Sequence, residues 1–212
     1  MSVNLKKIDE IFSLSALVPA MGDFEFPQTG FNASKDRVYK YDIFGLSMGS
    51  YHIGLLEISR KVIGDSGFVL DIGLTKHKKR FDDKITYKVS GQIHCRNDAL
   101  ATPVKWSFDS NFFCDGKRLS EKPCFSGSGS NDMGNVVIKT GSVKKQYKCD
   151  CPAVVNWCLF EACHRLSREI YEPIRFDMID DFDQLKPAQT LSYRGKFEVA
   201  YKGKAVLLHA HE

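Results

Sequence analysis

What the chain lacks narrows its classes first. No run of about eighteen consecutive apolar residues occurs, so no segment reads as a membrane-spanning helix. Charge of one sign is not in large excess. Thirty Lys and Arg face 26 Asp and Glu, and the net +4 is too mild to mark a nucleic-acid binder by itself. No Gly-Lys-Ser/Thr follows a glycine-rich loop, so a phosphate cradle of that type is excluded. No nucleophile elbow on a strand-to-helix turn is expected either. There is no internal repeat. What is present is 212 residues with 43% hydrophobic content. A chain this long buries roughly 70% of its unfolded surface and needs no metal or disulfide to fold.

Cysteine is plentiful but odd in number, at seven, which argues against a full disulfide framework. Asp9 and Glu10 interrupt the apolar stretch after Lys6 and Lys7, and no secretory signal is read there. Reduced thiols and a cytoplasmic location are therefore expected. The alternative is an exported bacterial envelope protein whose signal is not part of the sequence.

The patterning points to strands. Phe68, Leu70, Ile72 and Leu74 alternate with Val69, Asp71, Gly73 and Thr75. Ile85, Tyr87, Val89 and Ile93 alternate with polar residues over Lys84–His94, and Val104, Trp106, Phe108 and Phe112 repeat the pattern. Leu191, Tyr193, Phe197 and Val199 do the same, followed by a turn at Tyr201–Lys204. A period of two with short turns means half-buried antiparallel strands. One segment differs. Over 152–167 the apolar residues crowd so densely that a mostly buried helix is predicted, capped by Asp150 or Cys151, with Pro152 in its first turn. Asn156, Glu161, His164 and Arg165 are left for its solvent side, Glu161 and Arg165 as an i,i+4 pair. The expected fold is mainly β: a large curled antiparallel sheet, barrel or half-barrel, with one buried internal helix. Residues 1–35 read as a lead-in with a short helix near Leu5–Phe12, and 36–212 as a single β-rich domain. Ser126–Ser130 reads as a flexible loop.

The segment Val38–Tyr51 has a tyrosine-rich strand, then Gly45, three residues and Gly49, then another strand. It resembles the opening hairpin of uncharacterised bacterial all-β domains. Asn156–Ala162, followed by a Phe-Asp-rich strand and a Tyr-x-Gly hairpin, is similar to their second half. The resemblance implies a curled sheet of unknown function, usually in exported proteins, and brings no catalytic residues with it.

Each chemical candidate has a plainer competitor. Cys149-x-Cys151 is too tight for a zinc knuckle, and Cys163-His164 lies about 18 Å further along the expected helix. His209-x-His211 is a lone terminal pair. No metal or other cofactor is expected. Cys163 and His164, adjacent on a helix, point about 100° apart and cannot pair as nucleophile and base. Asp177, Asp180, Asp181 and Asp183 read as a solvated strand end rather than an acid/base pair or a Ca²⁺ loop. Lys76–Arg80 reads as a solvated turn beside Asp82 and Asp83, with nucleic acid the disfavoured partner.

No catalytic residue is assigned. The expected role is a non-enzymatic binding or interaction domain for a small apolar or carbohydrate-like molecule, or for a protein partner. Tyr39, Tyr41, His52, Tyr87, His94, Trp106 and Tyr193 are the expected lining. The rivals are an enzyme using His52 or His94 with an aspartate inside the barrel, and an anionic-surface or nucleic-acid binder using residues 76–80.

Overall fold

The computed structural model describes residues 34–45, 51–80, 83–119, 125–166, 172–180, 184–193, 197–201 and 204–207. The lead-in helix near Leu5–Phe12, Asp181, Asp183 and the His209/His211 pair lie outside the described residues.

The alternating segments form the strands β1 (Arg37–Gly45), β2 (Tyr51–Ile63), β3 (Gly67–Arg80), β4 (Asp83–Arg96) and β5 (Pro103–Cys114). They meander antiparallel, each paired with the next. β6 (Lys117–Arg118) also pairs with β5, and β7 (Phe125–Asp132), β8 (Asn135–Thr140) and β9 (Val143–Lys148) complete nine strands. The sheet is curled but open, ending at β1 and β9 rather than closing into a barrel. One face collects most of the apolar residues of these strands. Tyr39, Ile58, Ile72 and Phe108 lie in register across it, and all are buried.

The Ser126–Ser130 segment is not a loop. It lies within β7, paired with β5 throughout and with β8 from Gly127 on. Its glycines allow this, because Gly129 faces Trp106 and Gly127 faces Phe108 on β5. A Cβ on Gly129 would lie 2.1 Å from the Trp106 ring, so the indole covers the space a side chain would take. The turn into β8 uses Met133 and Gly134, both at positive φ (50° and 93°). That is the backbone demanded by a two-residue hairpin that matches strand twist. The basic run Lys76–Arg80 is likewise no turn. It continues β3, with Lys76 opposite Tyr87 and His77 opposite Thr86.

A second sheet holds β10 (Ala153–Val155), β11 (Ile174–Asp180), β12 (Gln184–Tyr193), β13 (Phe197–Tyr201) and β14 (Lys204–Leu207). The single C-terminal strand expected through Leu191–Val199 is thus two, β12 and β13. The helix α1 spans only Cys158–Arg165, shorter than the expected 152–167. Ala153–Val155, read as its first turn, are instead a fully buried strand parallel to β11. An all-apolar run fits a central strand as well as a buried helix. α1 then lies on the crossover between β10 and β11, the long connection that parallel strands need. Trp157 sits at its N-cap with no side-chain cap, so neither Asp150 nor Cys151 caps it.

α1 packs on the apolar face of the large sheet. Tyr41 meets Phe160 at 4.7 Å between ring centroids, and Tyr39 stacks on His164 at 4.5 Å. Phe176, Met178, Ile179 and Leu191 of the second sheet belong to the same core.

Candidate functional site

Among the described residues, the inner face of the large sheet carries a fully buried charge that its alternation does not predict. After Leu56 and Ile58, the next inward position of β2 is Arg60, with its side chain fully buried. Its Nη1 donates to Glu161 Oε1 at 2.8 Å, and Glu161 is equally sealed. Arg165 Nε donates to the same oxygen at 2.8 Å, and the Tyr39 hydroxyl donates to Oε2 at 3.0 Å. A second nitrogen of Arg60 reaches the Lys35 carbonyl. Arg165 also lies over the Phe68 ring, 4.2 Å away, and donates to Asn97 Oδ1 at 2.7 Å. Three donors on one carboxylate supply the compensation that a buried charge requires.

Glu161 and His164 were expected on the solvent side of the helix, as was Asn156 just before it. All three are buried instead. The i,i+4 pair of Glu161 with Arg165 does form, but inside. Burial, followed by the charges of Arg37 and Arg60, depresses His164 to about 4, so the imidazole stacked on Tyr39 is neutral at pH 7. Burial and the Glu161 charge raise the Tyr39 hydroxyl well above the usual tyrosine range. The cluster therefore holds α1 on the sheet. Its sealed atoms make it a structural joint rather than a point of access.

The opposite, outward face of the sheet is mostly polar, with Val38, Leu55 and Ile63 exposed among its charges. Lys61 Nζ donates to Asp71 Oδ2 at 2.6 Å, and Gln92 Nε2 donates to Asp71 Oδ1 at 2.8 Å. Gln92 Oε1 in turn lies 3.2 Å from His94 Nε2. The chain of contacts crosses β2, β3 and β4. Partial burial pushes the Asp71 carboxyl up, but the hydrogen bonds from Gln92 and Lys61 outweigh it and the net shift is downward. On the same face, His52 Nε2 lies 2.9 Å from Asp42 Oδ1, and Lys40 pairs with Glu57. His52 reaches this face through a register shift: Ile43 pairs with Gly54 but Phe44 with His52, leaving Ile53 as the extra residue of a bulge.

The expected lining residues therefore separate. Tyr39, Tyr41, Tyr87 and Trp106 are buried on the inner face among core side chains. His52 and His94 are on the outer face, away from them. The side chain of Tyr193 lies outside the described residues. Of the acidic cluster, Asp180 ends β11 as read, whereas Asp177 does not belong to a solvated strand end. Asp177 is mid-strand and buried, accepting the Ala188 N–H at 2.9 Å. Burial and the Asp177 charge push the Cys149 thiol up to about 11. Among the described residues no three of His, Cys, Asp and Glu gather as a metal would require.

One sequence signal bears on the hydrolase question. Gly45-Leu46-Ser47-Met48-Gly49 spells Gly-x-Ser-x-Gly. It joins two antiparallel strands, β1 and β2, rather than a strand to a helix, so the elbow's defining context is missing. Ser47 itself is outside the described residues.

Comparison of the chain with protein-family models, curated proteins and solved structures finds no match.

Proposed function

We propose that this chain is a non-catalytic interaction domain that receives a protein partner on the outward face of β1–β5. The observation that carries the reading is the occupation of the inner face. α1 and the Arg60–Glu161–Arg165 joint cover the apolar concavity where a small apolar molecule would otherwise sit. What stays accessible is a broad, mostly polar sheet face with fixed charges of both signs and a few exposed apolar side chains. Such a face favours a complementary polar protein surface, with charge pattern setting specificity.

A photo-crosslinking residue placed at Ser90 or Ser107, both exposed and outward, tests this in cells that naturally make the protein. The expected result is a discrete adduct from these positions and none from Lys117 at the β5–β6 hairpin. Lys61→Ala together with Asp71→Ala should abolish it without changing the melting temperature. Saturable one-to-one uptake of an apolar fluorescent dye, with no face-specific adduct, would refute the reading in favour of a small apolar ligand.

One observation favours a second reading, an enzyme using a histidine–aspartate pair: the 2.9 Å contact of His52 with Asp42. These side chains are 53% and 64% exposed, where solvent weakens the field a catalytic pair needs. Covalent labelling by a fluorophosphonate probe, lost in His52→Ala, would promote this reading above the first.

A further inference from the structure

Two thiols from distant parts of the chain meet where α1 lands on the sheet. Cys95 is on the inner face of β4, opposite Phe68, and Cys158 is the first residue of α1. Their sulfurs are 3.8 Å apart although 63 residues separate them in sequence. Both residues are buried. We propose that Cys95 and Cys158 are a disulfide-forming pair that fastens α1 to β4 when the chain folds under oxidising conditions.

The geometry needs little change. The sulfurs must close from 3.8 Å to about 2.0 Å, and side-chain rotation supplies movement on that scale without separating helix from sheet. The cover that makes the pair meet also limits when it can react. Once α1 is seated, both thiols are enclosed, and burial raises the Cys95 thiol well above its ordinary value, so little thiolate is present to attack. Closure therefore belongs to folding, while the sulfurs are still reachable.

With oxidised glutathione as the co-reactant the chemistry balances. One cysteine thiolate attacks a glutathione sulfur, breaking its S–S bond and releasing one glutathione thiol. The second cysteine then attacks the mixed disulfide and releases the other. The protein loses two protons and two electrons, and glutathione disulfide becomes two thiols. A chain folding in a reducing compartment keeps both thiols and the same packing. The bond thus adds a covalent fastening to the contacts that already hold the helix, and it leaves five of the seven cysteines as thiols.

The full chain, denatured and reduced, is refolded with a mixture of reduced and oxidised glutathione, alkylated, and digested without reduction. The expected result is one dominant cross-linked species joining the peptides of Cys95 and Cys158. The oxidised protein should also unfold at a higher urea concentration than the same protein after reduction, and by more than a short-loop bridge would give, because the closed loop is long. Cys158→Ser should remove both the cross-link and the difference between oxidised and reduced samples. The wild-type peptide map stands alone should that variant fold poorly. Full alkylation of Cys95 and Cys158 in the refolded, denatured sample would overturn the proposal. So would cross-links spread over Cys114, Cys149 and Cys151.

Discussion

Arg60 and Glu161 meet through a 2.8 Å hydrogen bond with neither side chain exposed to water, joining the second strand of the meander to the helix that covers it. Arg165 shares the same carboxylate oxygen, so one glutamate answers two guanidinium groups. The joint is stable only as a set, because each member compensates the burial of the others.

Glu161→Gln is accordingly expected to destabilise the protein by about 3–5 kcal/mol, since it leaves Arg60 and Arg165 buried against a neutral amide. Urea denaturation measures this. In a double-mutant cycle, Arg60→Met combined with Glu161→Leu should cost clearly less than the two single changes added together. Additive losses would show that the two residues do not act as a pair.

His164 makes stability depend on pH. Its folded-state value of about 4 lies below the roughly 6.5 of an unfolded histidine, so between those values the unfolded chain binds a proton that the native state excludes. The contribution is complete above about pH 6.5 and is lost as the pH falls toward 4, by on the order of 3 kcal/mol. His164→Phe keeps a ring against Tyr39 and removes the titration. The urea midpoint of wild type minus that of the variant should fall between pH 7 and pH 4.5. A pH-independent difference would mean that the imidazole is solvated.

Trp157 is buried and stacked with Phe160 at 6.2 Å. Trp157→Ala should cost about 3–5 kcal/mol, as deletion of a large core aromatic does. A melting temperature within a degree or two of wild type would place the helix on the surface instead.

Gly129 and Gly73 should respond oppositely to a side chain. At Gly129 a Cβ would strike the Trp106 ring at 2.1 Å, whereas at Gly73 its nearest neighbour is the Glu57 carbonyl oxygen at an ordinary 3.9 Å. Gly129→Val is expected to destabilise by about 1–3 kcal/mol through overpacking. Gly73→Ala should be neutral or stabilising by several tenths of a kcal/mol. Thermal denaturation of both variants decides it, and equal effects would exclude an indole seated on β7.

On the reading of Lys76–Arg80 as a solvated basic run, replacing Lys78, Lys79 and Arg80 with serine should change stability by less than about 0.5 kcal/mol. Filter binding to nucleic acid at two salt concentrations should be equally weak before and after. Steeply salt-dependent micromolar binding that disappears in the variant would instead assign the end of β3 to phosphate contacts.

The meander was legible because strict alternation has only one reading. Phe68, Leu70, Ile72 and Leu74 point one way, and the structure buries all four. The helix was located but its start was not, since Ala153–Val155 carry no polar residue to report a period. Ser126–Ser130 misled because glycine and serine signal a loop by composition, whereas here the missing side chain of Gly129 is replaced by the Trp106 ring from the neighbouring strand. Glu161 and His164 were sent to the surface on polarity alone. The signal that contradicted this was Arg60, a charge at an inward position of β2 after Leu56 and Ile58, which required an acidic counterpart inside. The separation of His52 from the aromatic residues was not readable at all, because it depends on one bulge in the β1–β2 register.

The distance in sequence across the joint also shapes how the chain comes off the ribosome. Arg60 waits for Glu161 across a sequence separation of 101, and Tyr39 across one of 122. At about 5–20 residues per second, the synthesis of β1–β5 is complete roughly 3–10 seconds before their helical cover exists. Throughout that interval the growing chain carries a long row of Val, Ile, Leu and aromatic side chains with nothing laid over it and an unpaired strand edge beside it. Such nascent species aggregate readily. A chain halted before α1 leaves this apolar face without its helical cover, and such a fragment is expected to aggregate rather than to serve as a shorter working domain.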